Sequence, residues 1–384
     1  MSTPVVESEM SRAIAPPKPE RLVSLDVFRG LTIVGMILVN NPGSWSYVYG
    51  PLAHAEWHGW TPTDLIFPFF LFIVGVAVTL SLGGRLARGE DQRKMFLQIL
   101  RRTIILLTLG LFLNSFPYFN LATLRIPGVL QRIALCYFFA AILFIKTNRR
   151  GQIIATMALL AVYWLLMKLV PVPGYGAGGL EMEGNLAAYI DNSLMPGHLW
   201  KPTWDPEGLL STIPAIATTL LGILTGYWLK ENRSVGEKTR GLLIAGVVLV
   251  GLGQIMDIWF PINKNLWTSS YVVFTAGMAL VCLGACCWLI DGRGDRRWAT
   301  PFVIFGVNPI TVYGFSSLGA ELMDLYRIAQ PDGGSVAFKT YIYKNVFASW
   351  AGPMNGSLFF ALAYVLVWLI PMTILYRKKI FIKI

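Results

Sequence analysis

Histidine is the scarcest of the chemically versatile residues in this chain, which has only His54, His58 and His198. Two of the three fall in one short segment, HAEWHGWTPTD, whose carboxylates are Glu56 and Asp64. A histidine there can accept a proton near neutral pH or attack an acyl carbon. His54 and His58 are four residues apart and would share a metal ion if the segment were helical. However, HAEWH is not the H-E-x-x-H zinc pattern: Glu56 is displaced by one position, and Gly59 and Pro62 oppose a continuing helix. No metal is expected. Asp64 in TPTDLIFPFF and Arg132 in RIPGVLQRIALCY either pair with each other, or orient the loop histidine or hold a bound anion. Asn40 and Asn41, at the end of the first apolar block, either cap a helix or donate a hydrogen bond to a reacting carbonyl. Asp26 and Arg29 lie three apart in RLVSLDVFRG. These two, with Arg101 and Arg102, suit either snorkelling and topology or the phosphates of a nucleotide-bearing donor.

Such groups need a scaffold, and the composition specifies it. Of 384 residues, 55% are hydrophobic and 14% charged, against roughly 25% charged in soluble chains, and mean hydropathy is +0.56. A soluble globular protein is excluded. The apolar residues form blocks of about 20, enough to cross a roughly 30 Å hydrocarbon core as a helix. Ten helices are predicted, over 22–41, 62–83, 96–115, 128–146, 152–171, 209–229, 240–259, 267–290, 301–323 and 357–376. The expected fold is therefore an all-α polytopic membrane protein.

Charge sets its orientation. With the N-terminus inside, 24 of the 32 Lys and Arg fall on the inner side, which nets +14 against −3 outside. This obeys the positive-inside rule and puts both termini in the cytoplasm. The net charge of +11 thus reports topology rather than nucleic-acid binding. Residues 1–20 read as a flexible, Pro-rich cytoplasmic tail without the pattern of a signal peptide. Residues 21–384 form the membrane domain, with outer loops at 42–61, 173–208 and 324–356. All three histidines and the aromatic residues Trp45, Tyr47, Trp57, Trp60, Trp200, Trp204 and Trp267 map to the outer side, suited either to stacking on sugars or to an interfacial belt. The four cysteines lie in predicted helices and read as buried hydrophobes.

The segments RLVSLDVFRG, MILVNNPG, HAEWHGWTPTDLIFPFFLFIVG, RIPGVLQRIALCYF, AAYIDNSL, WDPEGLLSTI, NKNLWTSSYV and PFVIFGVNPITVY, in that order over residues 21 to about 315, resemble the heparan-α-glucosaminide N-acetyltransferase family. The resemblance implies a reaction across the membrane, in which acetyl-CoA supplies an acetyl group from the cytosol and a terminal glucosamine amine accepts it outside. The family's active-site histidine falls on His54, in H-A-S-W-N-G, and His58 takes the place of its Asn. Its helix-end Asn falls on Asn40, and its T-x-x-D-L aspartate on Asp64. On this reading Arg29, Arg102 and Arg132 are the donor contacts. Trp57, Asp205, Glu207 and Asn265 are the acceptor contacts. The resemblance is also compatible with a homodimer embedded in lipid, and the missing lumenal extension points to the bacterial cytoplasmic membrane. A transporter or flippase of a small amphiphile or sugar derivative is the alternative from another class, but duplicated halves and matched broken helices are not found.

Overall fold

The structure, a computed structural model, describes residues 22–330 and 333–382; the tail expected over 1–20 lies outside them. Helix α1 spans Val23–Asn40, and α2 (Ile66–Ala87) follows a 3-10 turn at Pro62–Leu65. Next come α3 (Gln92–Ser115), α4 (Val129–Lys146) and α5 (Arg149–Leu169). A small hairpin, β1 (Pro171–Val172) with β2 (Gly176–Ala177), precedes α6 (Leu186–Leu194). The bundle continues with α7 (Thr212–Lys230), α8 (Val235–Asp257), α9 (Ser269–Cys286), α10 (Thr300–Val307) and α11 (Pro309–Leu325). A second hairpin, β3 (Arg327–Ala329) with β4 (Ser335–Ala337), leads to α12 (Phe338–Ile342) and α13 (Ser349–Arg377). Among the described residues, nine helices are long and apolar enough to cross a membrane, and a tenth is obtained by counting α10 with α11. This is an all-α integral membrane protein.

The unbroken helix expected over 301–323 is corrected: α10 and α11 meet at 86°. Pro309 has no N–H to donate, and a residue before proline is pushed out of the helical region; Asn308 accordingly adopts φ −130° and ψ 51°. Its side chain ties the break to the end of the chain. Asn308 Nδ2 donates to the Ile380 carbonyl (3.0 Å), and Oδ1 accepts from Ile382 N–H (2.8 Å). Nearby, Arg29 Nη1 donates to the Gly306 carbonyl and pairs with Asp26 at 3.2 Å. The start of α1, the α10–α11 break and the end of α13 therefore share one end of the bundle, called here the basic end. Asn40, at the other end of α1, marks the histidine end.

Glycines set the tightest crossings. A Cβ at Gly75 would collide with the Thr219 carbonyl, one at Gly222 with that of Phe72, and one at Gly30 with that of Phe302, so α2 packs against α7 and α1 against α10 nearly backbone to backbone. Helices associate this way in lipid, where water does not drive apolar surfaces together. The helices on the outside of the bundle, α3, α5 and α8, keep Ile104, Met157 and Val247 exposed, as lipid-facing surfaces should. Between the histidine-end loops and the helix ends lies a cavity of about 680 Å³.

Candidate active site

Asp64 anchors the site. It stands in the 3-10 turn before α2, where Thr61 and Asp64 form a reciprocal capping box. Aspartate suits this place because its oxygen accepts the unpaired N–H groups that open a helix. Oδ2 accepts from the backbone N–H of Thr61 and of Ala55, both at 3.0 Å, so the turn also pins the segment that carries His54. The other oxygen, Oδ1, lies 2.7 Å from His54 Nδ1. A carboxylate only accepts, so Nδ1 carries a proton, and in the neutral ring that leaves the lone pair on Nε2. Asp64 is 1% exposed, whereas the His54 side chain is 46% exposed toward the cavity.

Lys264 completes the group. Its Nζ is 3.0 Å from His54 Nδ1, 3.2 Å from Nε2 and 3.7 Å from Asp64 Oδ1. Near-equal distances to both ring nitrogens put the ammonium over the ring face rather than in its plane. Burial holds the Lys264 ammonium below the usual lysine range, and the Asp64 charge opposes that shift. The turn that presents it is tightly specified. Asn263 Oδ1 accepts from Leu266 N–H, Thr268 Oγ1 accepts from Asn263 N–H, and the fully buried Trp267 takes a left-handed φ of 53°. A bulky residue holds that conformation only where its surroundings dictate it; here Trp267 Nε1 donates to Thr218 Oγ1 and Arg132 covers the ring.

The two asparagines that end α1 divide the roles left open by the sequence. Asn41 is buried and donates to the Ile37 carbonyl at 2.7 Å, closing the helix. Asn40 is exposed and lines the cavity with Met36 and Val39 below it. Glu207 and Asn265 also line the cavity, as do Glu56, Arg125, Glu183, Trp200 and Lys201.

Other expectations change. Arg132 does not pair with Asp64. It is 1% exposed, and its Nη atoms donate to the carbonyls of Pro206 and Gly208, both at 2.9 Å, and to Ser211, so it braces the start of α7 behind the cavity wall. Trp57 does not reach the cavity surface either. It is buried, donates to the Leu180 carbonyl and packs edge-on against Trp204, which is itself on the wall. Asp205 is buried behind the wall, bonded bidentately to Arg125 at 2.6 and 2.8 Å. His54 and His58 turn to different partners, since His58 Nδ1 faces Asn263 Nδ2 at 3.3 Å. His198 is a loop staple on the Leu124 carbonyl. Arg29 and Arg102 lie away from the cavity; Arg102 sits over the Tyr137 ring.

Lys264 is the candidate site residue that the motif reading passed over. One signal was available: it is among the few basic residues on the side that the charge bias leaves nearly free of them, and a buried lysine needs a carboxylate.

An imidazole oriented by a buried carboxylate, with a half-buried ammonium beside it at the cavity, is an arrangement suited to proton transfer or acyl attack. A family model described as heparan-α-glucosaminide N-acetyltransferase, catalytic, matches residues 21–260, and the chain belongs to that family. It is 31% identical to the heparan-α-glucosaminide N-acetyltransferase of Homo sapiens and 30% identical to that of Mus musculus; each alignment covers 95% of this chain and 60% of the relative.

Proposed function

We propose that this protein is a membrane acetyltransferase that moves an acetyl group from acetyl-CoA to the amine of glucosamine or a glucosamine-ended saccharide. The observation that carries this reading is the His54–Asp64 pair: an imidazole held through Nδ1 by a carboxylate, on a residue that lines the cavity, so that the neutral ring has its lone pair on Nε2. A glucosamine ammonium must lose a proton before nitrogen can attack the thioester carbon. In direct transfer His54 Nε2 takes that proton, the free amine forms the new C–N bond as the C–S bond breaks, and the second proton shed by the attacking nitrogen goes to the departing CoA thiolate. The same lone pair can instead attack first and carry the acetyl group to the amine. Asn40, at the lip of α1, is the donor assigned to the developing oxyanion. The names of the relatives supply the acetyl group and the amino sugar.

The charge bias supports placing the basic end in the cytoplasm and His54 outside, in a bacterial cytoplasmic membrane. CoA phosphates are too costly to bury in hydrocarbon, so they would stay at the basic end, with Arg29 and Arg102 as their proposed contacts. The cavity descends to Met36, seven residues or about 10 Å of helix rise from Arg29. A pantetheine arm of a dozen or more bonds spans that gap.

Purified protein in detergent should release CoA from acetyl-CoA over many turnovers only when an amino sugar is added. Multiple-turnover release without acceptor, or uptake of the sugar into vesicles without acetylation, would overturn the reading. Radiolabelled acetyl retained by protein without acceptor would assign the two-step route. Cysteines introduced near residues 50 and 190, but not near 235, should react with an impermeant reagent from outside.

A further inference from the structure

Trp200 is an exposed aromatic residue held unusually firmly. Its side chain lines the cavity that contains His54, and the residue is 59% exposed. The Arg125 guanidinium lies over one face of the ring, 4.9 Å from its centroid. That guanidinium is itself fixed by Asp205, whose side chain is fully buried, and by Glu207 at 2.5 Å. Asp205 Oδ2 also accepts from the backbone N–H of Trp200 at 2.8 Å, and Lys201 N–H donates to the Trp204 carbonyl at 3.0 Å, closing the WKPTW turn. Asp205 therefore fixes the Trp200 backbone and, with Glu207, the arginine that lies on its ring, while the exposed residue borders the cavity. Burying Trp200 would be the cheaper use of such a side chain unless its exposed surface meets a ligand.

We propose that Trp200 is a stacking platform for a pyranose ring: a second saccharide subsite, beside the one where the amine reacts, so that the preferred acceptor is a glucosamine-ended oligosaccharide rather than the free monosaccharide. The chemistry suits a sugar. A gluco-configured pyranose presents axial C–H groups on its faces and hydroxyls around its rim; a C–H face packs on the indole. Glu183 and Lys201, which also line the cavity, supply an acceptor and a donor for the rim hydroxyls. A rigid platform binds without an ordering cost to itself. This inference rests on the proposed function for the identity of the reacting group, but the stacking itself does not require transfer.

The test compares a β-1,4-linked glucosamine disaccharide with glucosamine, using Trp200→Ala and Trp200→Phe. In Trp200→Ala the KM for the disaccharide should rise about tenfold, with kcat, the KM for glucosamine and the KM for acetyl-CoA all within twofold of the parent. Trp200→Phe should recover most of the loss. Tryptophan fluorescence of the parent protein, titrated with the fully N-acetylated disaccharide and no donor, should saturate, and Trp200→Ala should abolish the change. Equal KM values for the disaccharide in parent and Trp200→Ala would overturn the platform while leaving acetyl transfer standing. Saturable binding by the parent, lost in Trp200→Ala, with no transfer to any amino sugar would sustain the platform and sink the transferase reading.

Discussion

Replacing Asp64 by Asn tests the site with almost no change in shape. Asp64 Oδ2 faces two backbone N–H groups, those of Ala55 and Thr61 at 3.0 Å, and neither can accept. The amide must therefore turn its oxygen to them and its NH2 to His54 Nδ1, now an acceptor, which moves the imidazole proton to Nε2. The nitrogen that should take a proton or attack the thioester is then blocked. In a histidine–carboxylate pair of another enzyme, this tautomer change costs about 10⁴-fold in kcat, or about 5 kcal/mol of barrier. The expectation for Asp64→Asn is a loss of 10³- to 10⁴-fold in kcat, measured as acceptor-dependent CoA release, with both KM values within about threefold and a monodisperse profile in detergent. Because Asp64→Asn and His54→Ala disable the same nitrogen, the double variant should be no slower than His54→Ala alone. Asp64→Ala, which leaves the ring free to choose its tautomer, should be less damaged. An Asp64→Asn enzyme within tenfold of the parent would refute the argument that this carboxylate sets the imidazole tautomer.

His54→Ala should abolish transfer with normal expression, whereas His58→Ala, which loses contacts to Asn263 and the Trp57 ring, should keep at least a third of parental kcat; the reverse ranking would assign the chemistry to His58. Lys264→Met should lower kcat about 100-fold with little change in either KM, and parental turnover would show that the ammonium over the ring is only a structural partner of Asp64. Asp191, on α6, is buried and its carboxyl is pushed up to about 6, chiefly by desolvation, from an ordinary value of 3.8. A folded-state value above the unfolded one stabilises the protonated protein, so this contribution is full below about pH 4 and is lost as pH rises through about 6. Thermal unfolding in detergent should therefore show the parent losing a few degrees more than Asp191→Asn between pH 4 and 6.5; parallel curves would contradict that assignment.

Much of the architecture follows from local chemistry. Blocks of about 20 apolar residues admit only helices across a bilayer, because every backbone N–H and C=O must be satisfied within the segment, and ten segments were legible for that reason. The meeting of His54 with Asp64 was open to view as one alternative, because ionisable groups at a membrane boundary need a cavity, a partner or a substrate. The bend at Asn308–Pro309 was half visible: the proline marks a break, but its angle depends on Asn308 gripping the chain at Ile380 and Ile382. Partner choice was not legible. Arg132 and Asp64 looked like a pair because both sit near helix ends on one side, yet Lys264, 200 residues beyond Asp64, takes Asp64 while the carbonyls at the start of α7 take Arg132. Trp57 and Trp200 are likewise equivalent as letters. Folding commits one to the Leu180 carbonyl and leaves the other on the cavity wall, backed by Arg125. Composition and periodicity act over a helical turn and so determine which segments span and which end is basic. Which carboxylate meets which cation is decided only when distant segments pack, since a buried charge takes whatever partner that packing brings within reach.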